Sequence, residues 1–265
     1  MRALRFLVPA LLTAVACLAG TTAAHAAPAK YVALGDSYAV GVGTWSYDNP
    51  SDACRRGPLA YPRLWAAAHP STTFVEASCS GARTADVLNT QVPKLTADTT
   101  LVTIQVGGND AGFVDVLKQC ILTIDDKDCV NRVEQAKNIA RTTVSPALAT
   151  TYAAVRQAAP SAKVIVVGYP RMYKIGGNCG IFGLSDTERA ALNSAADVIA
   201  EITAARATDA GFTFLDARGT FDGHGICTST PWLTSLEWSK LDESYHPNTA
   251  GHRSGYLAPL TAITG

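Results

Sequence analysis

Tyr31-Val32-Ala33-Leu34-Gly35-Asp36-Ser37-Tyr38 joins an apolar run to a turn in which a serine follows Gly-Asp. The run is short, β-prone and bounded by glycine, which reads as a buried strand. The pattern recurs. Thr73 to Ala77 reads as a second strand, and Leu101-Val102-Thr103-Ile104-Gln105-Val106 as a third, ending at Gly107. Lys163-Val164-Ile165-Val166-Val167 is a fourth, ending at Gly168, and Phe212-Thr213-Phe214-Leu215 a fifth, ending at Asp216.

Helical patterns lie between these runs. One covers Ala60 to Ala68. A long one covers Val130 to Ala159, with Pro146 expected to kink or divide it. Ser185-Asp186-Thr187-Glu188 has the spacing of a capping box, and its helix should run to about Ala207. Near-continuous apolar strands alternating with helices imply an α/β fold. The expectation is a single-domain three-layer α/β/α sandwich with a central, mainly parallel five-stranded sheet over residues 27–265. Ligand sites in such sheets lie beyond the carboxyl ends of the strands. Gly35-Asp36-Ser37, Cys79-Ser80-Gly81 and Gly107-Gly108-Asn109-Asp110 each follow a strand, so these distant blocks should meet along one sheet edge.

Residues 1–26 read as an export signal. Arg2 and Arg5 supply the positive start, Phe6 to Leu18 an apolar stretch too short for an ordinary span, and Ala24-His25-Ala26 a cleavage site. The expected location is extracellular. The chain has 22 basic and 22 acidic residues, and loss of Arg2 and Arg5 leaves it slightly acidic. No basic stripe suggests nucleic acid. With Cys17 removed, an even set remains: Cys54, Cys79, Cys120, Cys129, Cys179 and Cys227. In an exported chain this suggests disulfides. Many pairings are possible, and the sequence alone does not choose. Cys120–Cys129 would close a short acidic loop. Cys54–Cys79 and Cys179–Cys227 follow by order. The cysteines lack the spacing of a zinc site, so no metal is expected.

Ser37 is the candidate nucleophile, although Gly-Asp-Ser is also ordinary turn or cap chemistry. A serine needs a base to take its proton. The Asn109 amide and the N–H groups of Gly81 and Ser37 could hold an oxyanion, and glycines at 107 and 108 would let the backbone turn sharply and approach a substrate. Asp110 fits a helix-start acid or a loop acceptor. Arg83 fits a surface ion pair better than a rim charge. His246, in Ser244-Tyr245-His246-Pro247, is the candidate base. His69, His224 and His252 compete with it, His224 most strongly, and local sequence does not separate them.

These blocks resemble the SGNH (GDSL-type) hydrolase family. Ser37, Gly81, Asn109 and His246 match, in order, the residues that name it. The Ala-Pro-Ala-Lys-Tyr-Val-Ala-Leu-Gly-Asp-Ser-Tyr start at Ala27, Cys-Ser-Gly-Ala-Arg-Thr from Cys79, Gly-Gly-Asn-Asp-Ala-Gly-Phe from Gly107, Gly-Tyr-Pro-Arg from Gly168 and Ser-Tyr-His-Pro from Ser244 are most similar to its small secreted Streptomyces lipases and phospholipases. The resemblance spans about Lys30 to Gly255. It implies a flavodoxin-like sandwich, a serine esterase acting on lipid esters, no cofactor, and Ser37 and His246 as the reacting pair. One departure is Glu243 where many members place an Asp three before the histidine. The resemblance therefore implies a dyad, with the main-chain carbonyl of Ser244 orienting His246. Glu243 or Asp242 as a triad acid stays open.

Tyr38, Trp45, Phe113, Tyr173 and Trp232 are candidates for an acyl groove, and the Pro170-Arg171-Met172-Tyr173 segment for a headgroup contact. The expected partner is a lipid or other ester, with no nucleic acid and no stable membrane anchor, and the chain is expected to be a monomer. A carbohydrate O-acetylesterase on the same fold is the rival enzyme. A secreted binding protein without catalysis is the rival of another class.

Overall fold

The computed structural model describes residues 29–177, 179–180 and 183–265; the expected export signal lies outside the described residues. In chain order the first elements are β1 (Lys30–Gly35), α1 (Ser37–Val40), α2 (Tyr61–Ala68), β2 (Thr73–Glu76), α3 (Thr84–Asp86) and β3 (Leu101–Gln105). There follow α4 (Phe113–Leu122), α5 (Asp126–Ile139), α6 (Ser145–Ala158), β4 (Lys163–Val167), α7 (Asp186–Asp209), β5 (Thr213–Leu215), α8 (Ala217–Thr220) and α9 (Ala258–Thr264).

The strands form one parallel sheet in the order β2-β1-β3-β4-β5. Register runs Tyr31 to Leu101 and Gly35 to Gln105. Strand residues alternate between the sheet's faces, and two apolar layers result. Tyr31, Ala33, Ile165 and Val167 pack with Trp65 of α2, Leu117 of α4 and Leu260 of α9. Val32, Leu34, Val164 and Val166 pack with Leu148, Tyr152 and Val155 of α6. Both faces are covered, which is why the strands lack a polar face. The chain order reverses direction between β1 and β3, so a switch-point crevice opens there.

The helices differ from the sequence reading in several places, three of which bear on the packing of the site. The helix read from Val130 starts at Asp126, because the Asp125 side chain accepts the Lys127 N–H and caps it. Pro146 does not divide the helical stretch. Residues Ala140–Val144 form a wide turn in which the Ser145 N–H reaches the Ala140 carbonyl. This shifts the ladder just before the residue that has no N–H to give. α4 was not read at all, although Phe113, Val116, Leu117 and Cys120 carry helical spacing. The capping box of α7 is present, with Ser185 Oγ accepting the Glu188 N–H at 3.1 Å and Glu188 accepting the Ser185 N–H at 2.9 Å. The cysteines pair as Cys54–Cys79, Cys120–Cys129 and Cys179–Cys227.

Candidate active site

Gly35 ends β1 with φ +142, and a Cβ there would sit 2.6 Å from the Gln105 carbonyl oxygen. Only glycine fits this close crossing of β1 and β3. Its amide is clamped by a side chain that the sequence reading passed over. Gln91 is buried, accepts the Gly35 N–H at 2.7 Å and donates to the Gly35 carbonyl at 2.9 Å. The chain then enters α1, where Asp36 caps the helix by accepting the Tyr38 N–H at 3.0 Å. Ser37 is thereby held at the first helical position, 8% exposed, at the switch-point crevice.

The His246 imidazole meets it from the C-terminal segment. Nε2 lies 2.7 Å from Ser37 Oγ, and Nδ1 lies 2.9 Å from the Ser244 carbonyl oxygen. Tyr245 between them has φ +66, a left-handed conformation unusual for a bulky residue. It folds the Ser244 carbonyl back toward the ring. Three bonds hold this turn: Tyr38 Oη donates to the Tyr245 carbonyl at 2.5 Å, the Tyr245 N–H to Thr234 O at 2.8 Å, and the Thr234 N–H to His246 O at 2.8 Å.

Neither nearby carboxylate is directed at the imidazole. Glu243, 1% exposed, accepts the Gly43 N–H at 2.8 Å and the Tyr47 hydroxyl at 2.5 Å, and pairs with Arg55. Asp242 pairs with Arg55 at 2.6 Å. Burial depresses the His246 pKa to about 4; the Ser244 carbonyl bond opposes this and the Arg55 charge adds to it. Part of the ring still faces the cleft, where water moderates the effect. Burial also pushes Asp36 up to about 7, against the opposing bonds from the Tyr169 hydroxyl and Tyr38 N–H.

Gly81 and Asn109 border the same cleft. Gly81 has φ +78, but a Cβ would meet nothing within 4 Å, so its need is conformational, not spatial. The Asn109 amide donates to the Ala82 carbonyl at 3.0 Å, which leaves its second N–H for another acceptor. Asp110 acts as a loop acceptor, taking the Thr84 N–H at 3.1 Å and its hydroxyl at 2.5 Å. That pair ties the second block to the third. Gly107 has φ +120 and packs on Val144, and Gly108 packs on Tyr169. Arg83 makes no ion pair among the described residues; its backbone is fixed, the N–H by Asp86 at 2.9 Å and the carbonyl by the Val87 N–H at 3.0 Å. The expected surface pair is therefore a free rim charge.

The three competing histidines are engaged elsewhere. His69 stacks on Trp65 at 3.8 Å, and His224 on Trp232 at 3.7 Å with Nδ1 2.8 Å from Thr230 O. His252 is buried and faces the Tyr61 N–H at 3.3 Å. Burial, then His246, holds its pKa at about 3.

The cleft has a volume of about 560 Å³. Of the aromatic candidates, Tyr38 and Phe113 line it. Trp45 does not, Tyr173 is buried against Tyr245, and Trp232 packs on Phe221. Arg171 pairs with Asp197 at 2.9 Å. The walls come instead from α4 (Val114, Leu117, Ile121) and from α7 (Leu192, Ala196, Ile199).

A serine hydroxyl bonded to an imidazole, with N–H donors beside it and an apolar cleft beyond, has the parts of a carboxylic ester hydrolase. The chain belongs to the GDSL-like lipase/acylhydrolase family, whose pattern matches residues 33–254. It is 47% identical to Lipase 1 of Streptomyces coelicolor over 263 residues, 98% of this chain and 97% of that one. Phospholipase A1 from Streptomyces albidoflavus superposes with a TM-score of 0.85 at 47% identity, covering 89% of this chain and 99% of that one. The extracellular lipase of Streptomyces rimosus does so with 0.85 at 46%, covering 88% and 99%.

Proposed function

We propose that this protein is an exported, monomeric serine esterase that hydrolyses carboxylic esters of lipids, acylglycerols and phospholipids among them. The observation that carries the reading is the 2.7 Å contact between Ser37 Oγ and His246 Nε2 at the floor of an apolar cleft of about 560 Å³. The names of its relatives, lipases and a phospholipase A1, support the substrate class.

In this mechanism His246 Nε2 takes the Ser37 proton as Oγ attacks the ester carbonyl carbon. The carbonyl oxygen becomes an oxyanion, held by the N–H groups of Ser37 and Gly81 and the Asn109 amide. The tetrahedral intermediate expels the alcohol, which leaves with the proton from His246. A water molecule then loses a proton to His246 and attacks the acyl-serine. Collapse returns that proton to Ser37 Oγ and frees the acid. The Ser244 carbonyl fixes the Nδ1–H tautomer, so Nε2 is the free base. A neutral carbonyl orients the ring but stabilises imidazolium less than a carboxylate would.

The test is hydrolysis of p-nitrophenyl esters of increasing chain length, with Ser37→Ala alongside. Activity on medium and long chains, lost in the variant, supports the reading. Activity confined to acetate favours a carbohydrate acetylesterase. No ester activity and no labelling of Ser37 by an organophosphonate rejects the enzyme mechanism and favours a binding role.

A further inference from the structure

Large exposed apolar side chains mean little when scattered and more when contiguous. Here most of them gather at one place, Ile175 standing apart from the cleft lining. Val114, Leu122, Trp238 and Leu241 are all at least half exposed, and all line the mouth of the cleft. Ile124, in the turn after α4, is fully exposed. The Cys120–Cys129 disulfide ties the end of α4 to α5, so a covalent staple closes the base of that turn. Trp45, outside the cleft lining, is 48% exposed and lies under Lys240 Nζ at 5.3 Å, and Lys240 adjoins the lining residue Leu241 in the chain. Trp45 has φ +60, a costly backbone for a bulky residue. Nothing in the core requires these side chains.

We propose that this rim is a docking surface for aggregated lipid, with a neutral or zwitterionic lipid surface as its occupant. The proposal rests on the lipid-esterase reading above. Continuity carries it: the side chains that would enter the lipid are also the walls of the cleft, so an acyl chain would pass from lipid to cleft without crossing water. Indole rings suit the boundary between apolar and wet phases. Charge selects the kind of surface. Around the α4 turn Asp115, Asp125, Asp126 and Asp128 stand against Lys118 and Lys127, and Lys240 over Trp45 and Arg83 beside Val114 add two cations; acids and bases balance, so no basic excess favours anionic lipid. No helix among the described residues is long and apolar enough to cross a membrane, so attachment through this rim is peripheral and reversible.

The experiment uses phosphatidylcholine vesicles and a Ser37→Ala background, so that the vesicles stay intact. Ile124→Asp with Trp45→Asn removes two rim side chains that do not line the cleft. Co-sedimentation of this variant should fall about tenfold relative to its background, from the lost apolar transfer. With Ser37 restored, the same pair should leave hydrolysis of soluble p-nitrophenyl butyrate within about twofold and lower hydrolysis of the vesicles about tenfold. Ile124→Ser alone, at a side chain outside the core, should move in the same direction. If both variants sediment like their background, or if vesicle and soluble-ester rates fall together in both, the rim is not the docking surface. Concentration-dependent self-association abolished by Ile124→Asp would make a second copy the occupant and would also overturn the proposal. Vesicle binding without any ester hydrolysis would reject the esterase reading and leave the docking surface standing.

Discussion

Glu243→Gln separates an orienting carbonyl from a triad acid. The wild-type carboxylate is 1% exposed and satisfies Gly43 N–H, Tyr47 Oη and Arg55, while the imidazole is served by the Ser244 carbonyl. Glutamine keeps one oxygen for the first contacts and turns an N–H toward the guanidinium. Removing one partner of a buried pair costs about 3–5 kcal/mol when the other is left alone. Arg55 is not left alone, because Asp242 remains at 2.6 Å; the expected loss is therefore about 2–3 kcal/mol, below that range. For a domain of this size that lowers Tm by about 4–12 °C. The effect on chemistry should be small, with kcat on a soluble p-nitrophenyl ester reduced less than about tenfold, against about 10⁴ for loss of a triad carboxylate. Thermal unfolding by circular dichroism and steady-state kinetics on the folded variant read the two effects separately. A folded variant with kcat down by three orders of magnitude or more (roughly the triad-acid loss) would refute the argument and make Glu243 a catalytic acid.

Four other outcomes follow from the geometry. Because burial lowers the His246 pKa toward 4 while its cleft edge stays wet, kcat/KM should fall with acidity along a limb between about 4 and 6.5. A pH-rate profile with its acid limb above 7 would contradict this. Asn109→Ala should lower kcat by about 10²–10³ with little change in KM, and a matched loss confined to KM would remove the amide from the oxyanion site. Ala196→Leu, inside the cleft wall beside Leu192 and Ile199, should reduce the long-to-short chain activity ratio about tenfold by displacing two or so methylenes; an unchanged ratio would mean the acyl chain lies elsewhere. Asp36 has a folded pKa raised to about 7 above its unfolded value. The folded state therefore binds more protons, and stability is lost as pH rises from about 4 through 7. Asp36→Asn should remove that slope, worth on the order of 2–4 kcal/mol, and urea unfolding of both proteins across this range checks it.

Strand order in the chain, the cap of α7 and the convergence of Ser37, Gly81 and Asn109 were legible in the sequence. Each depends on local signals: apolar runs, turn glycines and cap spacing act within a few residues. Parallel strands joined by long helical crossovers then leave their carboxyl ends on one edge. The choice of histidine had no local signal. His224 and His246 sit in similar polar turns, and only the tertiary path brings His246 Nε2 to 2.7 Å from Ser37 Oγ while His224 stacks on Trp232. The same holds for Gln91, which acts on Gly35 across 56 residues, and for Glu243, adjacent to the histidine turn yet bonded to Arg55. The cleft walls from α4 and α7 and the apolar rim around them were equally hidden. Sequence periodicity says which face of a helix is apolar, not whether the fold covers that face or leaves it open. Here packing decides, because contact between elements far apart in the chain depends on how every intervening segment is folded.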